Sequence, residues 1–152
     1  HVCRGCEACS KDGECIVADD MSRLYPLLRS ADAVVLAAPV YSMGLHALPK
    51  MMIDRCQPFW ALKYVLKQPL RPPGSPRRSG AFVSCAGTTF SNVFDGTRQV
   101  TRYLWHVLDI DPAGEVLCAG VDAKGEILAH PSARAEVEEL GRRLGRPHAA
   151  AP

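Results

Sequence analysis

Four of the seven cysteines of this chain fall close together at its start, at Cys3, Cys6, Cys9 and Cys15. The spacing, Cys-x2-Cys-x2-Cys-x5-Cys, restricts the fold more than any other feature. A backbone carrying thiols this densely must curl around something or hold them apart. A structural zinc site uses two Cys-x2-Cys knuckles separated by a dozen or more residues, whereas here the knuckles overlap. Overlap is the rhythm of iron–sulfur ligation, in which a tight loop wraps thiolates round a cubane. Gly5 and Gly13 supply the turns that let the backbone curl. Zinc, and ordinary free thiols of a surface loop, stay open as rival readings. A disulfide framework has less behind it: nothing else suggests secretion, and three further cysteines would stay unpaired by count.

With 152 residues, 47% of them hydrophobic, the chain is long enough for one domain with a real core. A formal net charge of +2 argues against bulk binding to nucleic acid or to a membrane surface. No apolar run reaches membrane-spanning length.

After the cysteines, Asp19-Asp20 opens a helix as N-cap, with Met21, Leu24, Leu27 and Leu28 at helical spacing and Pro26 kinking or delaying it. Residues 33–38 form a continuous apolar run that reads as a strand buried on both faces, the mark of a parallel sheet. A loop, Pro39-Val40-Tyr41-Ser42-Met43-Gly44, leads into a second helix over 48–60 with Pro49 in its first turn. Residues 67–78, basic and proline-rich, read as an exposed, poorly ordered connector. A second buried strand over 80–86 ends in Gly87-Thr88-Thr89-Phe90-Ser91-Asn92. An amphipathic helix over 97–110 presents Val100, Leu104, Val107 and Leu108 on one side. A third strand follows over 115–121, then a surface helix over 132–145 and a fraying tail, residues 147–152. Strands alternating with helices imply an open, doubly wound parallel sheet. Ligands in such sheets bind at the carboxyl ends of the strands. The two loops there carry glycine, hydroxyls and an aromatic, which suits a flat heteroaromatic ligand.

Three stretches resemble the NADPH-dependent FMN reductase group of flavodoxin-like proteins, and especially its iron–sulfur flavoproteins. These are the cysteine run leading into Asp19-Asp20-Met21, the segment APVYSMGLHALPKMMIDR, and the closing VDAKGEILAHPSARAEVEELGRRL. The second is similar to the family's Ser-Pro-x-Tyr loop followed by Lys-x-x-x-Asp-Arg, with Lys50, Asp54 and Arg55 in register. The resemblance implies an α/β, flavodoxin-like, three-layer fold over residues 1–146, with a cysteine loop over 1–18. Relatives place a strand, a phosphate loop, a helix and a second strand before that loop. The expectation is therefore strands 3, 4 and 5 of the order 2-1-3-4-5, with the first two strands missing here and supplied by upstream chain or a partner.

By the same resemblance, Pro39, Val40, Tyr41, Ser42, Met43 and Gly44 line one side of an FMN isoalloxazine. Cys85, Ala86, Gly87, Thr88 and Thr89 present backbone groups to its polar edge, and Phe90 and Asn92 contact ring or substrate. Plain packing is the rival reading for Tyr41 and Phe90. Cys3, Cys6, Cys9 and Cys15 are the candidate ligands of a [4Fe-4S] cluster, although relatives without a cluster carry a similar run. Lys50, Asp54 and Arg55 read as a helix-surface ion pair and subunit contact, Cys56, Cys85 and Cys118 as core or near-core thiols, and His106 as a helix residue without a special role. No catalytic acid or base is assigned. The implied function is FMN-dependent NAD(P)H oxidoreduction, passing electrons to a quinone, flavin or other small acceptor, with ferredoxin as a candidate partner. A cytoplasmic homodimer or homotetramer is expected, with no nucleic acid and no membrane. The alternative is a non-catalytic electron carrier or a degenerate flavodoxin-like assembly module.

Overall fold

The structure, a computed structural model, describes residues 1–145. The tail expected to fray, 147–152, lies outside the described residues. The cysteine segment contains one helical turn, α1 (Cys9–Asp12). Helix α2 (Met21–Ser30) follows. Asp20 sits at its cap position without a side-chain bond, and Asp19 Oδ1 accepts instead from the Met21 N–H at 3.1 Å. Pro26 is carried inside the helix without ending it.

Strand β1 (Ala33–Ala37) leads to a two-residue hairpin, β2 (Val40–Tyr41) and β3 (Gly44–Leu45), where a plain loop was expected. Ser42 and Met43 both take positive φ, 50° and 61°. That is the twist of a type I′ turn, which suits a tight antiparallel ribbon and which neither residue advertises. The helix expected over 48–60 is two helices, α3 (Ala47–Asp54) and α4 (Gln57–Tyr64). They part at Arg55-Cys56, where Pro58 is accommodated in the first turn of the second. Strand β4 (Arg78–Ala86), α5 (Asp95–Val107), β5 (Ile110–Ala119), a 3-10 turn (Glu126–Ala129) and α6 (Ala133–Leu144) complete the chain.

The three main strands lie parallel in the order β1-β4-β5. Leu36 of β1 and Phe82 of β4 face a layer built by α2 to α5, where they join Tyr25, Ile53, Phe59, Leu104 and Leu108 in the larger core. Ala81, Val116 and Cys118 face the other way, onto Ala133 and Leu140 of α6. This is the three-layer, doubly wound arrangement that the alternation implied. Strand β5 begins five residues earlier than expected. The added residues include Asp111-Pro112-Ala113-Gly114; β5 is a sheet edge among the described residues, and Pro112 needs no outer ladder partner there.

Two further expectations change. The run 33–38 is not buried on both faces: Leu36 is 7% exposed but Val35 is 55% exposed. Helix α6 packs on β4 and β5, so its side of β1 is uncovered among the described residues. The connector 67–78 is anchored, contrary to its loose composition. Leu70 is buried, and Arg71 bonds Asp32 at 3.1 Å and the Pro76 carbonyl.

Arg78, counted in that connector, opens β4 and is buried. It donates to the carbonyls of Ala31 (2.9 Å), Leu108 (2.8 Å) and Leu28. These carbonyls belong to the ends of α2 and α5, where a cation meets the negative pole of each helix. His106, at the end of α5, is likewise engaged, its Nε2 hydrogen-bonded to the Tyr64 hydroxyl. Replacing Arg78 by Met keeps the stem and removes every donor. The expected cost is about 2–4 kcal/mol, because buried carbonyls lose their partners. A urea midpoint equal to that of the parent chain would show that water takes over these carbonyls.

Candidate functional site

The cysteine segment is held by Arg55. Its guanidinium is almost fully buried and grips the Asp19 carboxylate with two bonds, 2.6 Å and 3.1 Å. It also donates to the carbonyls of His1 (3.0 Å) and Val17 (3.3 Å) and reaches Cys15 Sγ at 3.5 Å. Arg55 is therefore no surface residue, as its helical register with Lys50 and Asp54 had suggested. Lys50 and Asp54 do form the exposed pair, 2.7 Å apart. The chain bends between α3 and α4, and the bend turns Arg55 inward. Tyr25 closes the back of this network, its hydroxyl donating to the Arg55 carbonyl at 2.8 Å.

Cys3, Cys6, Cys9 and Cys15 all line one hollow of about 550 Å³, walled by Arg55, Pro58 and Trp60. All four are free thiols. Their charges are felt at Cys9: burial pushes that thiol up most, and Cys15, Cys3 and Cys6 add to it. At Cys15 burial also pushes up, but the Val17 N–H, the Tyr25 hydroxyl and the Arg55 guanidinium more than offset it and leave the thiol below its ordinary value. Asp19 is held well below the usual carboxylate range, foremost by Arg55.

Among the described residues no three His, Cys, Asp or Glu side chains converge closely enough to hold a single metal ion. A cubane asks for a different arrangement, since each thiolate binds its own iron and the sulfurs surround a volume. Four thiols around one hollow, beside a cation whose Nε is buried without a partner among the described residues, are a donor set that fits such a cluster.

The second group of expected residues gathers at the carboxyl ends of β1 and β4. Tyr41 and Phe90 are 61% and 62% exposed, so neither belongs to the core of the described residues. Ser42, Met43, Thr88, Thr89 and Asn92 are exposed with them, Pro39, Val40, Gly44 and Cys85 are half-buried, and Ala86 is buried. Tyr41 meets His46 edge to face at 4.8 Å, and His46 caps α3 by accepting from the Leu48 N–H. Two contributors went unseen in the sequence. Gly96, in the first turn of α5, lets the Met43 carbonyl approach: a Cβ there would lie 2.5 Å from that oxygen. The segment after β5 is the other. The Val121 N–H bonds the Ala86 carbonyl at 2.9 Å, and a Cβ at Gly87 would lie 2.5 Å from Asp122 Oδ1. Gly87 thus makes room for Asp122 in a third strand-end loop, VDAKG, a stretch that carried part of the family resemblance but to which no site role was assigned.

The family model for NADPH-dependent FMN reductases matches residues 3–112, and the chain belongs to that family. Two iron–sulfur flavoproteins of Archaeoglobus fulgidus are 42% and 46% identical over 62 and 59 residues, covering 41% and 39% of this chain. A third, iron–sulfur flavoprotein MJ1083 of Methanocaldococcus jannaschii, is 38% identical over 58 residues, or 38% of this chain. The matched stretches span 32%, 27% and 30% of those relatives. Among solved structures, the Trp repressor binding protein from Bacillus subtilis superposes with a TM-score of 0.62 at 17% identity, covering 82% of this chain and 73% of its own. A flavone reductase superposes at 0.50 with 18% identity, over 84% of this chain and 44% of its own. At those identities the likeness shows the shared flavodoxin-like fold.

Two outcomes test the Arg55 network. The folded-state value of Asp19 lies below that of an unfolded chain. Its contribution is therefore complete above the ordinary aspartate value, about 3.9, and fades as pH falls toward the folded value. Asp19→Asn is expected to lower the urea midpoint at neutral pH and to approach the parent curve in strong acid; a constant gap down to the lowest pH would refute the linkage. In alkylation mapped by mass spectrometry, Cys15 is expected to reach half its maximal rate at a lower pH than Cys9. Arg55→Met narrows that gap if the guanidinium causes it.

Proposed function

We propose that this chain carries the cysteine-ligated and flavin-facing parts of an FMN-dependent oxidoreductase. In it NAD(P)H or ferredoxin supplies electrons, and a quinone, flavin or other small molecule accepts them. The observation that carries this reading is the placement of both candidate sites at the two ends of α3. The hairpin residues Tyr41, Ser42 and Met43 precede its first turn, and Asp54-Arg55 at its other end walls the cysteine hollow. An eight-residue helix is about 12 Å long, which keeps the two sites within direct reach of an electron.

FMN, when bound, converts between two-electron hydride donors and one-electron carriers, and a cluster passes single electrons. The chain's own residues supply position and charge. Tyr41, Met43 and Phe90 offer exposed apolar surface for a planar ring, with Ser42, Thr88, Thr89 and Asn92 as polar neighbours. Cys85, Ala86 and Gly87 bring backbone up to its edge, and Pro39, Val40 and Gly44 support the hairpin. Cys3, Cys6, Cys9 and Cys15 would hold the cluster. Arg55 offsets thiolate charge at Cys15 while fixing Asp19, so the loop keeps its shape as its charge changes. The described helices include none long and apolar enough to cross a membrane. A cytoplasmic homodimer or homotetramer belongs to this proposal.

Anaerobic reconstitution with iron and sulfide is the test. The expected result is about four irons per chain and a broad band near roughly 400 nm, from thiolate-to-iron charge transfer. Cys9→Ser should degrade both. A colourless chain with one zinc, or with no stoichiometric metal, would overturn the cluster. Flavin is tested separately by fluorescence titration with FMN: Tyr41→Ala is expected to weaken binding, and an unchanged titration removes the hairpin from the site.

A further inference from the structure

Two thiols outside the cysteine hollow also form a pair. Cys85 and Cys118 are direct register partners on the parallel strands β4 and β5, each one residue from the carboxyl end of its strand. Both line a second hollow of about 330 Å³ between the sheet and α6, walled by Ala37, Val83, Val116, Ile127 and Val137. Cys118 is buried and Cys85 half-buried, so the hollow is the approach to both. Burial raises the Cys118 thiol, and the charges of Glu136 and Cys85 raise it further, which places the two sulfurs within each other's field.

We propose that Cys85 and Cys118 form a two-thiol site for a soft, thiophilic species that bridges them, a monosubstituted trivalent arsenical being the fitting chemical class. Two properties of the site select it. Apart from Ser84, whose hydroxyl is already bonded to the Ala38 carbonyl, the side chains around the two thiols are aliphatic or proline, so hard cations that need several oxygen ligands or retained water find too few. Thiolates prefer soft acceptors, and register partners on neighbouring strands, about 4.8 Å apart, hold both sulfurs within reach of one bridging atom. The reaction is balanced without an oxidant: two S–H groups condense with R–As=O, two As–S bonds form, the As–O bond is lost, and the oxygen leaves with both protons as water. The small side chain of Ala133 at the start of α6 leaves room above the pair. This inference needs neither flavin nor cluster.

The probe is phenylarsine oxide. Because the first cysteine run also offers thiols, binding is counted by intact-mass spectrometry in a chain with Cys3, Cys6 and Cys9 replaced by Ser. One arsenical per chain is expected, with the added mass located on a peptide pair containing Cys85 and Cys118. In the same background Cys85→Ser and Cys118→Ala are each expected to abolish the adduct. Alanine is chosen at position 118 so that no hydroxyl is buried, and circular dichroism verifies that both variants fold. No adduct, or an adduct that persists in folded Cys85→Ser, overturns the site. Should the triple-serine chain fail to fold, the adduct is mapped in the parent chain, where a Cys85–Cys118 bridge supports the site and its absence at saturation overturns it.

Discussion

The buried ion pair between Arg55 and Asp19 is the interaction on which the site end of this molecule depends. An arginine out of water is costly unless its charge and donors are met. Here a bidentate carboxylate and two carbonyls meet it, from residues far apart in the chain. Those partners all lie in the segment that carries the cysteines. The segment has almost no apolar side chains of its own to bury, so the guanidinium takes the place of a core. It brings Cys15 under a cation and fixes the end of the loop just before α2.

The same residue ties the loop to the sheet. Arg55 sits at the bend between α3 and α4, and α3 is entered from the hairpin that follows β1. One short helix therefore joins the cysteine segment to the hairpin that carries Tyr41 and to His46. Arg78 plays the corresponding role at the other end of the strands, drawing together the ends of α2 and α5 with one buried guanidinium. Two arginines, each at the junction of several carbonyls, hold what hydrophobic contact alone leaves loose in a three-stranded sheet.

The rim at the carboxyl ends of the strands is built differently, from backbone approach. The Met43 carbonyl against Gly96 is a backbone contact that any Cβ would forbid, and the Asp122 side chain against Gly87 is one that a Cβ would push aside. They lock three loops into one rim while leaving Tyr41, Phe90 and the threonines outward. A rim of exposed aromatic and hydroxyl groups on a backbone fixed from behind is suited to a flat ligand, because little ordering is left to be done on binding.

Much of this was legible in the sequence for simple reasons. Apolar runs of strand length alternating with amphipathic helices specify a parallel sheet, since a chain that re-enters a sheet in the same direction must cross back over its face, and a helix makes that crossover. The overlapping cysteine spacing and the APVYSMG segment pointed to both candidate sites, because ligand chemistry demands particular residue types at short range. What the sequence could not decide were matters of partner and direction. Arg55 reads as a surface residue from its spacing to Lys50, and only the bend after Asp54 turns it inward. Val35 reads as buried, and only the coverage of the sheet by α6 leaves it exposed. Asp111-Pro112 falls between the expected helix and the expected third strand, and only an edge position makes it strand. Local spacing determines which residues recur on one side of an element; which neighbour that side meets is a long-range property, settled when the chain closes on itself.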